Sequence, residues 1–263
     1  MSEIGMSTSC YYPLETEKSL ENVCKTGIKK AEIFINAYTE LDEPFVSVYK
    51  KLLSEYSVNL VSLHTTASFA DGYNYFSDYY RRFEESLDVF RKQACLANEL
   101  GAKYVVMHGL KKIAKASDEL YLERFKLLTE IAKESGVSLL QENVVNFRSE
   151  SPDFIQKMKD YIGEDFAITL DIKQCRRAGY SPYEFIERFH DIIKHVHISD
   201  ADGEKDCITP LKGDFDFQKF FTVMNGYGYE GDYIIELYKN SYSDEAEILN
   251  SYNALSEILK RVE

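Results

Sequence analysis

At 263 residues, with 20 tyrosines and 16 phenylalanines among 44% hydrophobic residues, the chain can fill a sizeable core, which excludes a disordered protein. The 44 acidic against 31 basic residues give a formal charge of −13, a balance that repels polyphosphate and argues against nucleic acid as the main partner. Five cysteines at 10, 24, 95, 175 and 207 form no CxxC pair and suit a reducing compartment better than a disulfide framework. The start, MSEIGMSTSCYYPLE, has no basic segment followed by an apolar run, and no stretch reaches the ~20 apolar residues of a membrane span. No signal peptide or membrane anchor is therefore expected, and a cytoplasmic protein is.

In chain order, short β-branched or apolar runs predict strands at 3–7 (EIGMS), 31–36 (AEIFIN), 59–64 (NLVSLH), 103–108 (KYVVMH), 137–142 (VSLLQE), 166–171 (FAITLD), 194–199 (KHVHIS) and 232–237 (DYIIEL). Helical periodicity fills the intervals. It is clearest over 79–100, where Phe83, Leu87, Phe90, Ala94 and Ala97 share a face and Gly101 supplies the stop. A last helix carries Leu249, Tyr252, Leu255, Leu259 and Val262 as one stripe. Ser151-Pro152 and Ser181-Pro182 predict an N-cap followed by a first-turn proline. Eight strand–helix units without a linker predict one domain over 1–263, α/β in class, closed as a single (β/α)8 TIM barrel. A doubly wound open sheet would call for a glycine-rich turn after the first strand, and GMSTSCYY is not one.

The C-terminal strand ends of such a barrel open on one face, where chemistry sits. Polar residues at those ends are His64, His108, Glu142, Asp171, His197 and Glu236. The last four fall on successive strands, 29, 26 and 39 residues apart, and so can converge above the mouth. Three carboxylates around one point repel unless a cation joins them. An oxygen-rich shell with one imidazole predicts a single divalent ion, Mn2+ or Mg2+ first, with Zn2+ or Co2+ tolerated. Each acid alone has a plainer reading as a helix cap or turn residue, and His64 and His108 as hydrogen-bonded structural histidines at the mouth, as holders of a second ion or as contacts to substrate hydroxyls. His195, lower on the seventh strand, is expected to be a buried support, and Asp200 a loop cap.

The segments LLQENV, ITLDIKQCRRAG, VHISDADG, KGDFDF and YIIELY resemble, in order and spacing, the xylose isomerase-like TIM-barrel superfamily, within it the sugar-phosphate isomerase/epimerase group. The resemblance covers essentially the whole chain. In its ketose 3-epimerase branch a Glu–Asp–His–Glu set binds one ion and both glutamates act as acid and base. It thus implies Glu142 and Glu236 as catalytic ligands and Asp171 and His197 as ligands only. The chemistry is coherent: proton transfer through a metal-stabilised enediolate inverts a carbon if one carboxylate stands on each side of it. The implied activity is that of a sugar, sugar-phosphate or cyclitol isomerase or epimerase in carbohydrate metabolism, acting on a small molecule; homo-oligomer formation stays open. The alternative is a metal-dependent lyase or hydrolase, since the superfamily also holds zinc-dependent apurinic endonucleases. Two histidines of those enzymes are replaced here by Gln174 and by the KDCITPLKG loop, which speaks against a three-zinc phosphodiesterase. Lys173, Arg148, Arg176 and Arg177 are candidates for an anionic substrate group, Lys173 first, although a solvated basic turn is the more ordinary reading of them. Tyr11, Tyr12 and Phe69 could wall a sugar site. NGYGYEG, at 225–231, precedes the eighth strand and is read as a turn on the opposite face.

Overall fold

The computed structural model describes residues 1–66 and 69–262, apart from the Phe69 side chain, so the expectation for Phe69 lies outside the described residues. Among the described residues, eight parallel strands close in sequence order: β1 (Ile4–Ser7), β2 (Lys30–Phe34), β3 (Asn59–His64), β4 (Tyr104–Met107), β5 (Ser138–Glu142), β6 (Ala167–Asp171), β7 (Ile193–Ile198) and β8 (Tyr233–Ile235), with β8 pairing back onto β1. The open doubly wound sheet is thereby excluded. His108 and Glu236 lie one residue beyond their strands.

The main apolar core fills the space between the barrel and its outer helices, and includes Phe90, Ala94 and Ala97 of α4 (Tyr80–Glu99). The helix α10 (Glu245–Val262) differs in detail from its predicted stripe. Its buried seam is Ile248, Ser251, Leu255 and Leu259, while Leu249, Tyr252 and Val262 are only half-buried on its shoulder. Ser251 is tolerated there because its hydroxyl donates to the Pro210 carbonyl at 2.6 Å. The two Ser-Pro starts also part company. Ser181 caps α8 (Pro182–Phe189) through Tyr183 N, whereas Ser151 makes no side-chain cap on α6 (Pro152–Ile162).

Inside the barrel a small apolar group of Val106, Leu140 and Ala167, with Tyr104 against it, gives way to polar side chains. Two register shifts set that polar layer. One, between Ala31 and Glu32, brings Glu32 level with Ser62 and Phe34 with His64. The other, between Ile168 and Thr169, pairs Thr169 with His195 and Asp171 with His197. Bulges of this kind re-aim side chains beside functional sites.

Beyond β7, Asp200 organises the long loop as expected. Its Oδ1 accepts from Ala201 N at 2.8 Å and Phe215 N at 3.1 Å, and its Oδ2 from Leu211 N at 2.9 Å and Gly213 N at 3.0 Å. Gly213 is required in this wrap, since a Cβ there would collide with the Ala201 carbonyl oxygen. Asp200→Ala orphans these donors and is expected to cost at least about 3 kcal/mol. Thermal unfolding should then fall by roughly 6–12 °C for a domain of this size; a drop below about 2 °C would show that the loop holds without its acid.

Candidate metal centre at the barrel mouth

β5, β6, β7 and the residue after β8 bring Glu142, Asp171, His197 and Glu236 together, each offering a ligand atom within 4.8 Å of the others. Local structure explains how each is held. Asp171 caps α7 (Ile172–Ala178): its Oδ1 accepts from Lys173 N at 2.7 Å and Gln174 N at 3.2 Å, leaving Oδ2 toward the cluster. The plain capping role and the site role therefore coexist in one carboxylate. Asn143 pins the Asp171 backbone, its Oδ1 accepting from Asp171 N at 2.7 Å and its amide donating to Asp171 O at 3.1 Å. Gln141 performs a similar service next door, donating to the carbonyls of Met107, His108 and Glu142.

Glu142 is fully buried, with Oε2 at 3.0 Å from His108 Nε2 and 3.3 Å from His64 Nε2. His197 turns Nδ1 toward Glu142 Oε1 at 3.5 Å and Glu236 Oε2 at 3.8 Å. Its Nε2 lies 3.0 Å from Glu32 Oε2. Lys173 reaches the same cluster, with Nζ 2.7 Å from Glu236 Oε2 and 3.3 Å from Asp171 Oδ2.

Three of these buried atoms, Glu142 Oε1, Asp171 Oδ2 and His197 Nδ1, have no hydrogen-bond partner among the described residues. Buried polar atoms left this way are costly and few in folded proteins. The charges tell the same story. Burial pushes Asp171 up to about 7, with Glu236 and Glu142 adding to the rise and Lys173 opposing it. Burial also opposes the charge on Glu142, but His108, His197 and His64 hold its carboxyl well below the usual range. For His197 burial works against the imidazolium, yet Glu32, Glu236 and Glu142 push it well above its ordinary value. Oxygens and an imidazole nitrogen without hydrogen bonds, facing one point in an acid-rich pocket, could hold a divalent cation.

A cavity of about 390 Å3 opens over this cluster, with Tyr12, Phe34 and Tyr238 as aromatic walls, Asn36, Thr66 and Gln174 as neutral polar ones, and His108, Lys173 and Glu236 among its lining. That size and mixture suit a small polar ligand.

Several sequence expectations are corrected here. His64 does not reach the cavity: it is fully buried, stacked on Phe34 with ring centroids 4.1 Å apart, its Nδ1 at 2.7 Å from Thr65 O and its Nε2 on Glu142. Arg148 does not line this cavity. Its guanidinium turns back to Asp118 at 2.7 Å and to the carbonyls of Ala114 and Ala116, tying the loop after β5 to the start of α5 (Asp118–Glu134). Arg176 pairs with Asp214, and Arg177 grips Asp206 while donating to the Tyr238 hydroxyl at 2.8 Å, so it buttresses a cavity wall without lining the cavity itself. Of the four basic candidates only Lys173 meets the cluster. Tyr11 is buried with its hydroxyl on Glu245, away from the cavity that Tyr12 lines.

Glu32, Phe34 and Tyr238 escaped the strand-end reading. Glu32 carried a signal nonetheless: an acid between Ala31 and Ile33 interrupts an otherwise apolar strand. His195 is buried as expected, but it supports through that missing acid, with Nε2 3.1 Å from both Glu32 Oε2 and Ser62 Oγ.

Comparison with known proteins agrees with this architecture. The family model described as "Xylose isomerase-like TIM barrel" matches residues 20–258. The chain belongs to that family. Among curated relatives, an uncharacterized protein of Methanocaldococcus jannaschii is 29% identical over 176 residues, covering 64% of this chain and 63% of its own length. An inosose dehydratase of Clostridium perfringens is 25% identical over 189 residues, covering 59% of this chain and 64% of the enzyme. Both matches thus span less than two thirds of the relative. Among solved structures, a D-tagatose 3-epimerase-like protein superposes with a TM-score of 0.82 at 24% identity, over 99% of this chain and 98% of the other. At that identity the likeness is one of fold. No described helix is long and apolar enough to cross a membrane.

Proposed function

We propose that this chain is a divalent-metal-dependent epimerase or isomerase of a small sugar or cyclitol that moves a proton on the carbon next to a carbonyl. The observation that carries this reading is the cluster of Glu142, Asp171, His197 and Glu236, with three buried ligand atoms that make no hydrogen bond, beneath a ligand-sized cavity. Those four residues would hold the ion, Mn2+ or Mg2+ by their hardness, with Zn2+ or Co2+ as substitutes. When bound, such an ion supplies positive charge that stabilises negative charge developing on substrate oxygens.

The protein's own groups do the rest. Glu142 and Glu236 come from the fifth and eighth strand ends, so one can take a proton from a carbon between them while the other delivers one. Lys173 holds Glu236 Oε2 at 2.7 Å and lines the cavity, where it can also meet a substrate oxygen. His108 fixes Glu142 and lines the cavity. Tyr12, Phe34 and Tyr238 offer faces for the carbon side of a sugar.

A lyase is the second reading, favoured by the match to an inosose dehydratase, because dehydration can begin with the same proton abstraction and end in loss of a neighbouring hydroxyl. A three-ion hydrolase is less well supported, since Gln174 and the loop at 205–213 lack histidine.

The test joins metal analysis of the purified protein to a D2O-exchange screen over ketoses, ketose phosphates and inososes. One divalent ion per chain with deuterium entering an α-position and no dehydrated product is the expected result. Deuterium uptake with a dehydrated product would move the assignment to a lyase. Absence of both ion and exchange would overturn the proposal.

A further inference from the structure

Glu32 is fully buried, yet neither proton transfer nor the four-residue ligand set uses it. Its Oε2 accepts from Ser62 Oγ at 2.7 Å and lies 3.1 Å from His195 Nε2 and 3.0 Å from His197 Nε2. Ser62 and His195 therefore converge on the oxygen that faces His197, and the carboxylate spans the barrel from β2 to β7.

An ionised carboxylate has no proton to give and can only accept. The His197 nitrogen facing it must then be N–H. In a neutral imidazole this leaves the lone pair on Nδ1, the atom that looks toward Glu142 Oε1 and Glu236 Oε2 and has no hydrogen bond of its own. Among the described residues, no Lys or Arg appears in the ion-pair contacts of Glu32. An acid buried this deeply depends on Ser62 and the two histidines for its compensation, and a neutral side chain would fill the space at lower cost. We propose that Glu32 is the positioning residue that fixes the tautomer and ring direction of His197, presenting Nδ1 to the divalent ion. The inference rests on the ion site proposed above and adds a residue outside its ligand set. Outer partners of metal-binding histidines generally act this way.

Glu32→Gln is nearly isosteric and reverses the chemistry, because the new amide can donate to His197 Nε2 and force the proton onto Nδ1. Zinc affinity, measured by chelator competition on the full chain, is expected to weaken by roughly 10–100-fold. In long-range 1H–15N spectra the zinc-loaded wild-type protein should show His197 protonated at Nε2. Glu32→Asp keeps an acceptor and should retain more affinity than Glu32→Gln, which separates hydrogen-bond chemistry from volume. Three results would overturn the proposal: zinc affinity of Glu32→Gln within twofold of wild type, a wild-type His197 proton on Nδ1, or equal losses in the two variants. Wild-type protein that binds none of Zn2+, Mn2+ and Mg2+ would instead remove the ion site itself, and the ligand role of His197 with it.

Discussion

Glu142→Gln is expected to lower the rate of α-proton exchange from the epimer whose proton faces Glu142 by about 10^3-fold or more, at the upper part of the range for loss of a general acid or base. The reason lies in how many duties this carboxylate combines. Its Oε2 receives His64 and His108, while Oε1 faces His197 Nδ1 without a hydrogen bond. An amide at this position keeps the volume and removes the charge. It also sets an N–H group either against the two histidines or toward the ion. Binding of Mn2+ should therefore weaken as well, beyond the roughly 10–100-fold cost of losing an outer partner. Titrating Mn2+ separates the two duties. If exchange stays low once the variant is saturated with the ion, Glu142 carries the proton. Recovery of the wild-type rate at saturation would leave it a ligand only and send the base assignment elsewhere.

Spacing alone made the barrel legible, because eight apolar runs one βα unit apart have few other ways to close. It also made Glu142, Asp171, His197 and Glu236 legible as neighbours, since successive parallel strands deliver their ends to one rim. What spacing cannot carry is the direction of a side chain once it leaves the strand. His64 ends β3 as the rule requires, but the Phe34 ring lies against it and keeps it from the cavity. Arg148 follows β5 closely in sequence, yet the first carbonyls and acid of the neighbouring helix region capture its guanidinium. Glu32 was hidden for the opposite reason. It sits inside β2, below the rim, and only the register shift beside it brings it level with Ser62 and within reach of two histidines from across the barrel. A buried acid in mid-strand was readable as an anomaly; its partners were not.

Glu236→Gln should split the reaction on the opposite face from Glu142→Gln. If inversion needs a carboxylate on each face of one carbon, removing Glu236 leaves Glu142 able to exchange the proton that points toward it. One epimer is then expected to keep exchanging with D2O while the other loses exchange, and net interconversion should fall by about 10^3-fold. The measurement must be made at saturating divalent ion, because the variant also takes one negative charge from the ligand set. It also deprives Lys173 of its 2.7 Å partner, leaving Asp171 at 3.3 Å as the nearer acid. Lys173→Met serves as the control for that second effect. If Lys173 only anchors Glu236, its variant should show a weaker form of the same one-sided pattern, whereas a Lys173 that meets a substrate oxygen should slow exchange of both epimers together. A Glu236→Gln protein that interconverts the epimers at more than a tenth of the wild-type rate would rule out the two-carboxylate arrangement. Symmetric loss of exchange from both epimers in Glu236→Gln, with the ion bound, would point instead to a single base serving both faces.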